Sequence, residues 1–401
     1  MNILILANKP PYPAKDGSSL ATLNMTLGLA KSGNNVKILA ITTQKHHSTP
    51  EDIPAEIKSL IDFYFISIDT RISLFKGLSN LLFSRRPYNI ERFIDKKFRR
   101  KLNEIICQTK FDIIQIEGLY LFPYIENIKK LTTTPIVYRS HNVEHEIWAR
   151  ISKNEKNWFK ARYFSLLSKR ILKMETTIVG QVDALVSISS RDNKWFVSNG
   201  FEKPSITIPM GYSVPEVNDA STGLTNNDVC YLGSLDWIPN QEGLFWFIKE
   251  VWPKVQKQYP HLRFHVAGRN TPSAIIEKLD KEPSIVFHGE VDSAQTYLNS
   301  YSILAVPILS GSGMRVKIVE GMMLGKAIIT TTIGLEGISA KNHEQVLIAD
   351  DPSDFAKSII ELVQQPDLKT SIVQKARIFA RANFENTTLT QELVGFYKKL
   401  I

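Results

Sequence analysis

The sequence predicts two doubly wound α/β domains, each built on a parallel sheet with helices on both faces. Three observations carry that prediction. Strand-length runs rich in Val, Ile and Leu alternate with helical patterns from end to end, as parallel strands buried on both faces require. The chain has 401 residues, more than one hydrophobic core usually supports. Near its middle a turn-rich stretch, Pro209-Met-Gly-Tyr-Ser-Val-Pro215, followed by polar residues 219–228, breaks the alternation and reads as a linker.

In order, the expected strands of the first half are residues 2–7, 36–42, 112–116, 136–139, 184–188 and 205–208. Those of the second half are 229–233, 262–268, 284–288, 303–307, 327–330 and 346–348. Helical patterns fill the intervals, clearest at 20–30, 243–256 and 356–363. The resulting domains are residues 1–210 and 211–385, with a terminal helical stretch at 386–401. No short-period repeat or low-complexity segment is visible.

The opening Met1-Asn-Ile-Leu-Ile-Leu-Ala7 lacks a basic start, and its apolar run is too short for a secretory signal. No apolar stretch approaches the length of a membrane span. Cys107 and Cys230, both in apolar contexts, read as core residues of a protein from a reducing cytoplasm.

The net charge of +9 is uneven: residues 1–210 hold 31 Lys and Arg against 19 acids, the remainder 18 against 21. The excess is densest from Arg71 to Lys101, where ten basic residues and two acids interleave with Leu74, Phe75, Leu78, Leu81, Leu82, Phe83 and Phe93. A solvated charged face is one reading. An anionic membrane surface is the reading preferred here, because apolar and basic residues alternate. No nucleic-acid motif supports nucleic acid as a partner.

Open parallel sheets bind ligands at the carboxyl ends of their strands, so the loops that follow strands hold the candidate site. In the first half these are Asn8-Lys-Pro-Pro-Tyr-Pro-Ala-Lys-Asp-Gly-Ser-Ser19 and Ser140-His-Asn-Val-Glu-His145. In the second they are Gly233-Ser-Leu-Asp-Trp-Ile-Pro-Asn240 and Gly268-Arg269. Such loops in both halves suggest a site in a cleft between two domains.

The most informative loop follows the strand at 303–307. It opens with Gly311 and Gly313, enters a helical pattern that stops near Gly325, and leads into the strand at 327–330. Bare backbone N–H groups and a helix N-terminus there suit an anion. Arg315 and Lys317 fall in the first turn, against the macrodipole's preference for acids. A phosphate-bearing ligand accounts for them, and Glu320 converges on the same turns. No Gly-Lys-Ser/Thr follows, as a P-loop would need. The third glycine of a dinucleotide fingerprint is also missing.

His141-Asn-Val-Glu-His145 matches the letters of the inverted zinc-peptidase motif. That motif needs both histidines on one helical face. Here His141 ends a strand and Asn142 reads as the helix cap, so no metal site is expected. His141 is expected to point toward a ligand, with His145 on the helix surface. No Ser-His-Asp set and no Asp-x-Asp pair appears.

Taken together, Tyr231-Leu-Gly-Ser-Leu-Asp-Trp-Ile-Pro-Asn240, His141-Asn-Val-Glu144, Gly311-Ser-Gly-Met-Arg-Val-Lys-Ile-Val-Glu-Gly-Met322 and Gly334-Leu-Glu-Gly337 resemble the retaining family-4 (group 1) glycosyltransferases of the GT-B fold. The resemblance spans the chain. It implies two Rossmann-like domains facing a central cleft, with the acceptor in the first, a nucleoside-diphosphate sugar in the second, and the last helix crossing back to the first. It matches Glu320 to an acid that binds ribose hydroxyls, and His141 to a histidine that contacts the donor sugar. Gly17, Gly233, Ser234, Gly268, Arg269, Gly289, Ser312, Gly313 and Met314 fall on the donor side, with Asn142 and Glu144 on the acceptor side.

The sequence departs from the family at two points. Ser312 stands where the first acid of the Glu-x7-Glu motif belongs, and Ser234 stands where a Gly-Arg pair is frequent. Arg315 and Lys317 would supply the missing cation. The implied reaction is metal-independent and needs no cofactor. The donor's leaving phosphate accepts the acceptor's proton, while the protein stabilises charge growing on the diphosphate. The implied acceptor is a saccharide, lipid-linked or part of a cell-envelope glycan, reached from the cytoplasm or from the inner membrane face. A non-catalytic nucleotide-sugar binder and a nucleotide-sugar 2-epimerase of the same fold are the alternatives.

Overall fold

The computed structural model describes residues 1–14, 16–213, 227–311 and 313–401. Lys15, residues 214–226 and Ser312 lie outside the described residues, and with them most of the expected linker. The chain folds as two compact units, Met1–Gly211 with Asn386–Ile401, and Tyr212–Glu385.

The first unit carries a seven-stranded sheet of β1 (Asn2–Ala7), β2 (Asn35–Thr42), β3 (Ile61–Ser67), β4 (Ile113–Glu117), β5 (Ile136–Ser140), β6 (Ala184–Ser187) and β7 (Ser205–Thr207). Its order is β3-β2-β1-β4-β5-β6-β7, and every pairing is parallel. Six of these strands lie within two residues of their expected bounds. The exception is β3, Ile61-Asp-Phe-Tyr-Phe-Ile-Ser67, which has no counterpart among the expected strands. It lies at the sheet edge and is mostly half-buried, so it lacks the unbroken aliphatic run by which the central strands are recognised.

The second unit carries β8 (Val229–Leu232), β9 (Phe264–Ala267), β10 (Ile285–Gly289), β11 (Ile303–Val306), β12 (Ala327–Thr330) and β13 (Leu347–Ile348). They form a parallel sheet in the order β10-β9-β8-β11-β12-β13.

The pleat divides each sheet's side chains between two cores. In β1, Leu4 and Leu6 enter one core, while Ile3, Ile5 and Ala7 enter the other. In β8, Val229 and Tyr231 point one way and Cys230 the other. Cys230 is therefore buried, but Cys107 is exposed. The core expectation fails for Cys107 because it lies off the stripe of helix Lys96–Gln108 that buries Phe98, Leu102 and Ile105.

In both sheets the chain starts at a central strand, runs outward to one edge, then returns to build the other side. The order reverses between β1 and β4, and between β8 and β11. At such a switch point the two flanking loops diverge and open a crevice at the carboxyl ends of the strands.

The last helix, Asn386–Tyr397, buries Leu389, Leu393, Phe396 and Tyr397 in the first unit's core beside Met25 and Leu29. It packs on helix Gly17–Lys31 at Gly28, where an added Cβ would lie 2.1 Å from Thr390 Oγ1. Leu393 is fully buried, so Leu393→Ala should destabilise the first unit by about 2–5 kcal/mol. Urea unfolding should show this as a lowered midpoint with an unchanged slope.

Candidate active site

In the second unit, the loops beside the β8/β11 switch point bring the expected cations together. Gly311 and Gly313 adopt φ of 99° and 89°, a left-handed backbone that side chains other than glycine's resist. The chain then turns into helix Val316–Met323, with Arg315 as its N-cap residue. Arg315 is buried. Its Nη1 donates to the Gly313 carbonyl at 2.7 Å, bracing the glycine turn, and its guanidinium lies 5.5 Å from the ring centre of Trp237.

Lys317 enters the same space from the next turn. Its Nζ donates to Asn240 Oδ1 at 3.3 Å and lies 4.9 Å from the ring centre of Tyr231. Burial, then the neighbouring Arg315 charge, lower its ammonium pKa to about 7. At Gly233 an added Cβ would sit 2.9 Å from that ammonium and from the Tyr231 hydroxyl, so glycine leaves the lysine its present place. At 243 a Cβ would lie 1.7 Å from the Pro307 carbonyl oxygen. Glycine there lets helix Ile238–Trp246 press against the end of β11, which fixes Trp237 and Asn240 beneath the two cations.

Of the other donor-side positions, Gly268 backs the first loop, where a Cβ would meet Leu235 Cδ1 at 2.6 Å. Arg269 Nε donates to Ser234 Oγ at 3.2 Å, so the serine in the frequent arginine position recruits an arginine from the next loop. Gly289 ends β10 with φ of 68°, and its backbone carbonyl accepts from Gly268 N at 2.8 Å. The Met314 backbone lies against Gly337. Ser312 lies outside the described residues.

Glu320, one turn into the helix, accepts from Tyr212 Oη at 3.0 Å. Burial raises its pKa, opposed by that bond. Tyr212, Trp237 and Asn240 did not figure as individual contacts in the sequence reading. An aromatic and an amide near a glycine loop carry no signal until the cations they touch are known.

The first unit builds a second cluster around its own switch point, with Glu117 at the end of β4 as the hub. Its Oε2 accepts from Thr22 Oγ1 at 3.0 Å and Arg139 Nη1 at 3.2 Å, and lies 2.6 Å from His141 Nε2. Its Oε1 accepts from Gln115 Nε2, and Gln115 Oε1 accepts from the Tyr397 hydroxyl of the last helix. Burial alone would raise Glu117; Arg139 and His141 overcome it and hold the carboxyl at about 2. Burial lowers His141, opposed by Glu117. A Gln and a Glu inside the apolar Ile113-Ile-Gln-Ile-Glu117 strand were the signal that could have revealed this hub.

His141, Asn142 and Glu144 line a cavity of about 610 Å³, together with Lys9, Lys45, Arg71 and Arg92. Burial, then Glu175, raise Glu144 to about 7. The Asn142 side chain bonds Glu144 and does not cap the helix, contrary to expectation. The cap comes from Glu175, whose two oxygens accept from Glu144 N and His145 N at 2.6 and 3.3 Å. His145 is likewise no surface residue, because its Nδ1 lies 2.7 Å from Glu175 Oε2. The two histidines thus serve different carboxylates. Gly17 opens helix Gly17–Lys31 behind Asp16, whose side chain accepts from Ser19 N and pairs with Lys9 at 2.7 Å.

Residues 226–365 match the family model described as glycosyl transferases group 1. A curated relative from Klebsiella pneumoniae, described as an uncharacterized 44.6 kDa protein in the cps region, is 25% identical over 397 residues, covering 96% of each chain. Among solved structures, HepE from Anabaena in complex with UDP superposes with a TM-score of 0.68 at 12% identity over 100% of both chains. The sucrose-phosphate synthase of Thermosynechococcus elongatus gives 0.71 at 13% identity, covering 100% of this chain and 99% of that one. A trehalose-phosphate synthase from Burkholderia xenovorans gives 0.66 at 11% identity, covering 99% and 100%. Residues 226–365 thus match a group 1 glycosyltransferase domain, and the two parallel-sheet units share the GT-B fold of these solved structures.

Proposed function

We propose that the chain is a retaining, metal-independent transferase, of the family-4 type, that moves a sugar from a nucleoside diphosphate to a saccharide acceptor of the cell envelope. The observation that carries this reading is the pair Arg315 and Lys317, recessed under a two-glycine turn at the switch point of the second sheet. Two cations crowded at a helix start repel each other and the helix dipole. A diphosphate between them converts that repulsion into attraction. Glu320, held by Tyr212, is assigned to the ribose hydroxyls, and the backbone of Gly313 and Met314 to the donor's sugar and phosphate. As the glycosidic bond breaks, negative charge grows on the leaving diphosphate, and preorganised cations lower that barrier.

The first unit's cavity is assigned to the acceptor, with Glu144 accepting a bond from one of its hydroxyls and Glu117 orienting His141. HepE was solved with UDP and with UDP-glucose, which supports a nucleotide-sugar donor. The location of the Klebsiella relative in a cps region supports a capsule-type glycan as product. Free cysteines suit a reducing, cytoplasmic site of action.

Arg315→Ala should cost about 2–4 kcal/mol of transition-state stabilisation, by analogy with a lost oxyanion donor. The measurement is nucleoside diphosphate release and product anomeric configuration, with EDTA present throughout. Full activity in the variant contradicts the role of Arg315, activity that vanishes with EDTA contradicts metal independence, and an inverted product contradicts retention. Donor binding without turnover on any offered acceptor favours the non-catalytic binder instead.

A second expectation concerns pH. Burial and Glu175 push Glu144 up to about 7, and only the carboxylate accepts a charge-assisted bond, about twice as strong as a neutral one. The kcat/KM for acceptor should therefore rise as pH climbs through about 7. Glu144→Gln should flatten that limb while leaving donor binding unchanged.

A further inference from the structure

Helix Leu74–Phe83 leaves large apolar side chains in solvent. Its inward face is narrow, with Gly77 near the Tyr88 ring and Asn80 one turn on, while Lys76 and Ser79 are exposed beside the apolar residues. Asn80 is buried; its Nδ2 donates to Glu91 Oε2 at 2.7 Å, and its Oδ1 accepts from Arg170 Nη1 at 3.0 Å. The apolar stripe Phe75, Leu78 and Leu82 faces outward, with Phe75 82% and Leu82 65% exposed, followed by Phe83 at 87%. A soluble helix normally does the reverse. Helix Trp158–Ile178 extends the same face. Arg170 of that helix also donates to the Leu81 carbonyl at 3.1 Å. Leu81, Trp158, Phe159 and Leu166 line one shallow groove of about 520 Å³. Trp158 and Phe159, at its rim, are 65% and 76% exposed.

The charge on this face is predominantly positive. Residues 72–86 hold three cations and no acid, and residues 156–174 hold six cations and no acid. Of the flanking acids, Glu91 is turned inward to Asn80 and Ser84, Asp69 is paired with Arg71, and Glu155 accepts from Asn157 N at 2.9 Å. A second copy of the chain would set these cations against themselves, which disfavours self-association. Exposed Trp, Phe and Leu ringed by Lys and Arg are what an interfacial helix presents to anionic lipid.

We infer that helix Leu74–Phe83, together with Trp158 and Phe159, docks this protein on the surface of an anionic phospholipid bilayer. This narrows the segment from Arg71 to Lys101. Helix Lys96–Gln108 buries its apolar stripe in the core, so its cations form an ordinary solvated face. The docking face adjoins the acceptor cavity. Arg71 and Ile72, just before Ser73 caps the exposed helix, line that cavity, and Ile72 itself is exposed. A lipid-linked acceptor would thus leave the bilayer beside the cavity that receives it. That last step rests on the transferase reading; docking itself does not. Among the described residues no helix is long and apolar enough to cross a membrane, so attachment would be at the surface.

The test is co-sedimentation of the full chain with vesicles of phosphatidylcholine alone and with one-third phosphatidylglycerol, read without any sugar donor. Binding should favour the anionic vesicles at least tenfold and weaken as salt is raised. Trp fluorescence should shift to the blue on binding, and Trp158→Phe should remove most of that shift. Phe75→Ser with Leu82→Ser should lower partitioning at least tenfold without changing the melting temperature, because both side chains are already in water. No binding by the wild type at low salt overturns the inference. Equal binding by the double variant overturns insertion of this helix. Concentration-dependent dimers in lipid-free ultracentrifugation, abolished by the same double variant, would show that a second copy covers the face. Docking that survives while transferase assays fail would leave this inference standing and remove the proposed function.

Discussion

Two positive charges held side by side in a recess are the constraint on which the second unit's architecture turns. Neither Arg315 nor Lys317 would settle there unaided, because burial and mutual repulsion both oppose it; Lys317 shows the cost as an ammonium pushed down to about 7. Several local features serve to hold them. Gly311 and Gly313 make the turn that delivers Arg315, and Gly233 leaves room for the Lys317 ammonium. The approach of Gly243 to Pro307 seats Trp237 and Asn240, so that an aromatic face and an amide oxygen replace the water each cation gives up. The arrangement is electrostatically unfavourable by itself, and the proposed diphosphate would relieve it. That is how a protein binds charge more tightly as it develops, instead of merely binding a substrate.

The first unit solves the opposite problem at the corresponding place. Glu117 is a buried carboxylate at the end of β4, and Arg139, His141 and Thr22 keep it ionised. The Gln115 bridge to Tyr397 ties the hub that holds His141 to the last helix, 282 residues from Gln115 in sequence. Beyond the hub, Glu144 stands near neutrality in a cavity otherwise rich in cations. The two units thus differ in kind, with a pair of crowded cations in one and carboxyl and imidazole groups in the other.

Much of this was legible in the residues because parallel sheets leave a strong trace. The aliphatic runs of β1, β2, β4, β5, β8, β11 and β12 stand out, and the loops after them hold nearly every candidate residue. What escaped has common causes. The edge strand β3 is aromatic and half-buried, so it looks like neither a central strand nor a helix. Gln115 and Glu117 stand out locally within an aliphatic strand, but Tyr397 and Glu175 act through contacts between residues far apart in sequence, and no local pattern announces such partners. Asn142 looked like a helix cap by type and position, but the cap came from Glu175 on another helix. The run from Arg71 to Lys101 looked uniform in composition. Only the fold shows that helix Leu74–Phe83 turns its apolar side outward while helix Lys96–Gln108 turns its own inward.

The most direct test of the central claim is a melting-temperature titration of the full chain with uridine, uridine monophosphate and uridine diphosphate, and with the guanosine and adenosine series, in EDTA. A ligand that binds only the native state raises the melting temperature by mass action. One diphosphate should stabilise the protein, the monophosphate should do so less, and the nucleoside alone should do nothing measurable. Equal stabilisation by a nucleoside and its diphosphate, or none by any diphosphate, would contradict the assignment of Arg315 and Lys317 to a leaving phosphate.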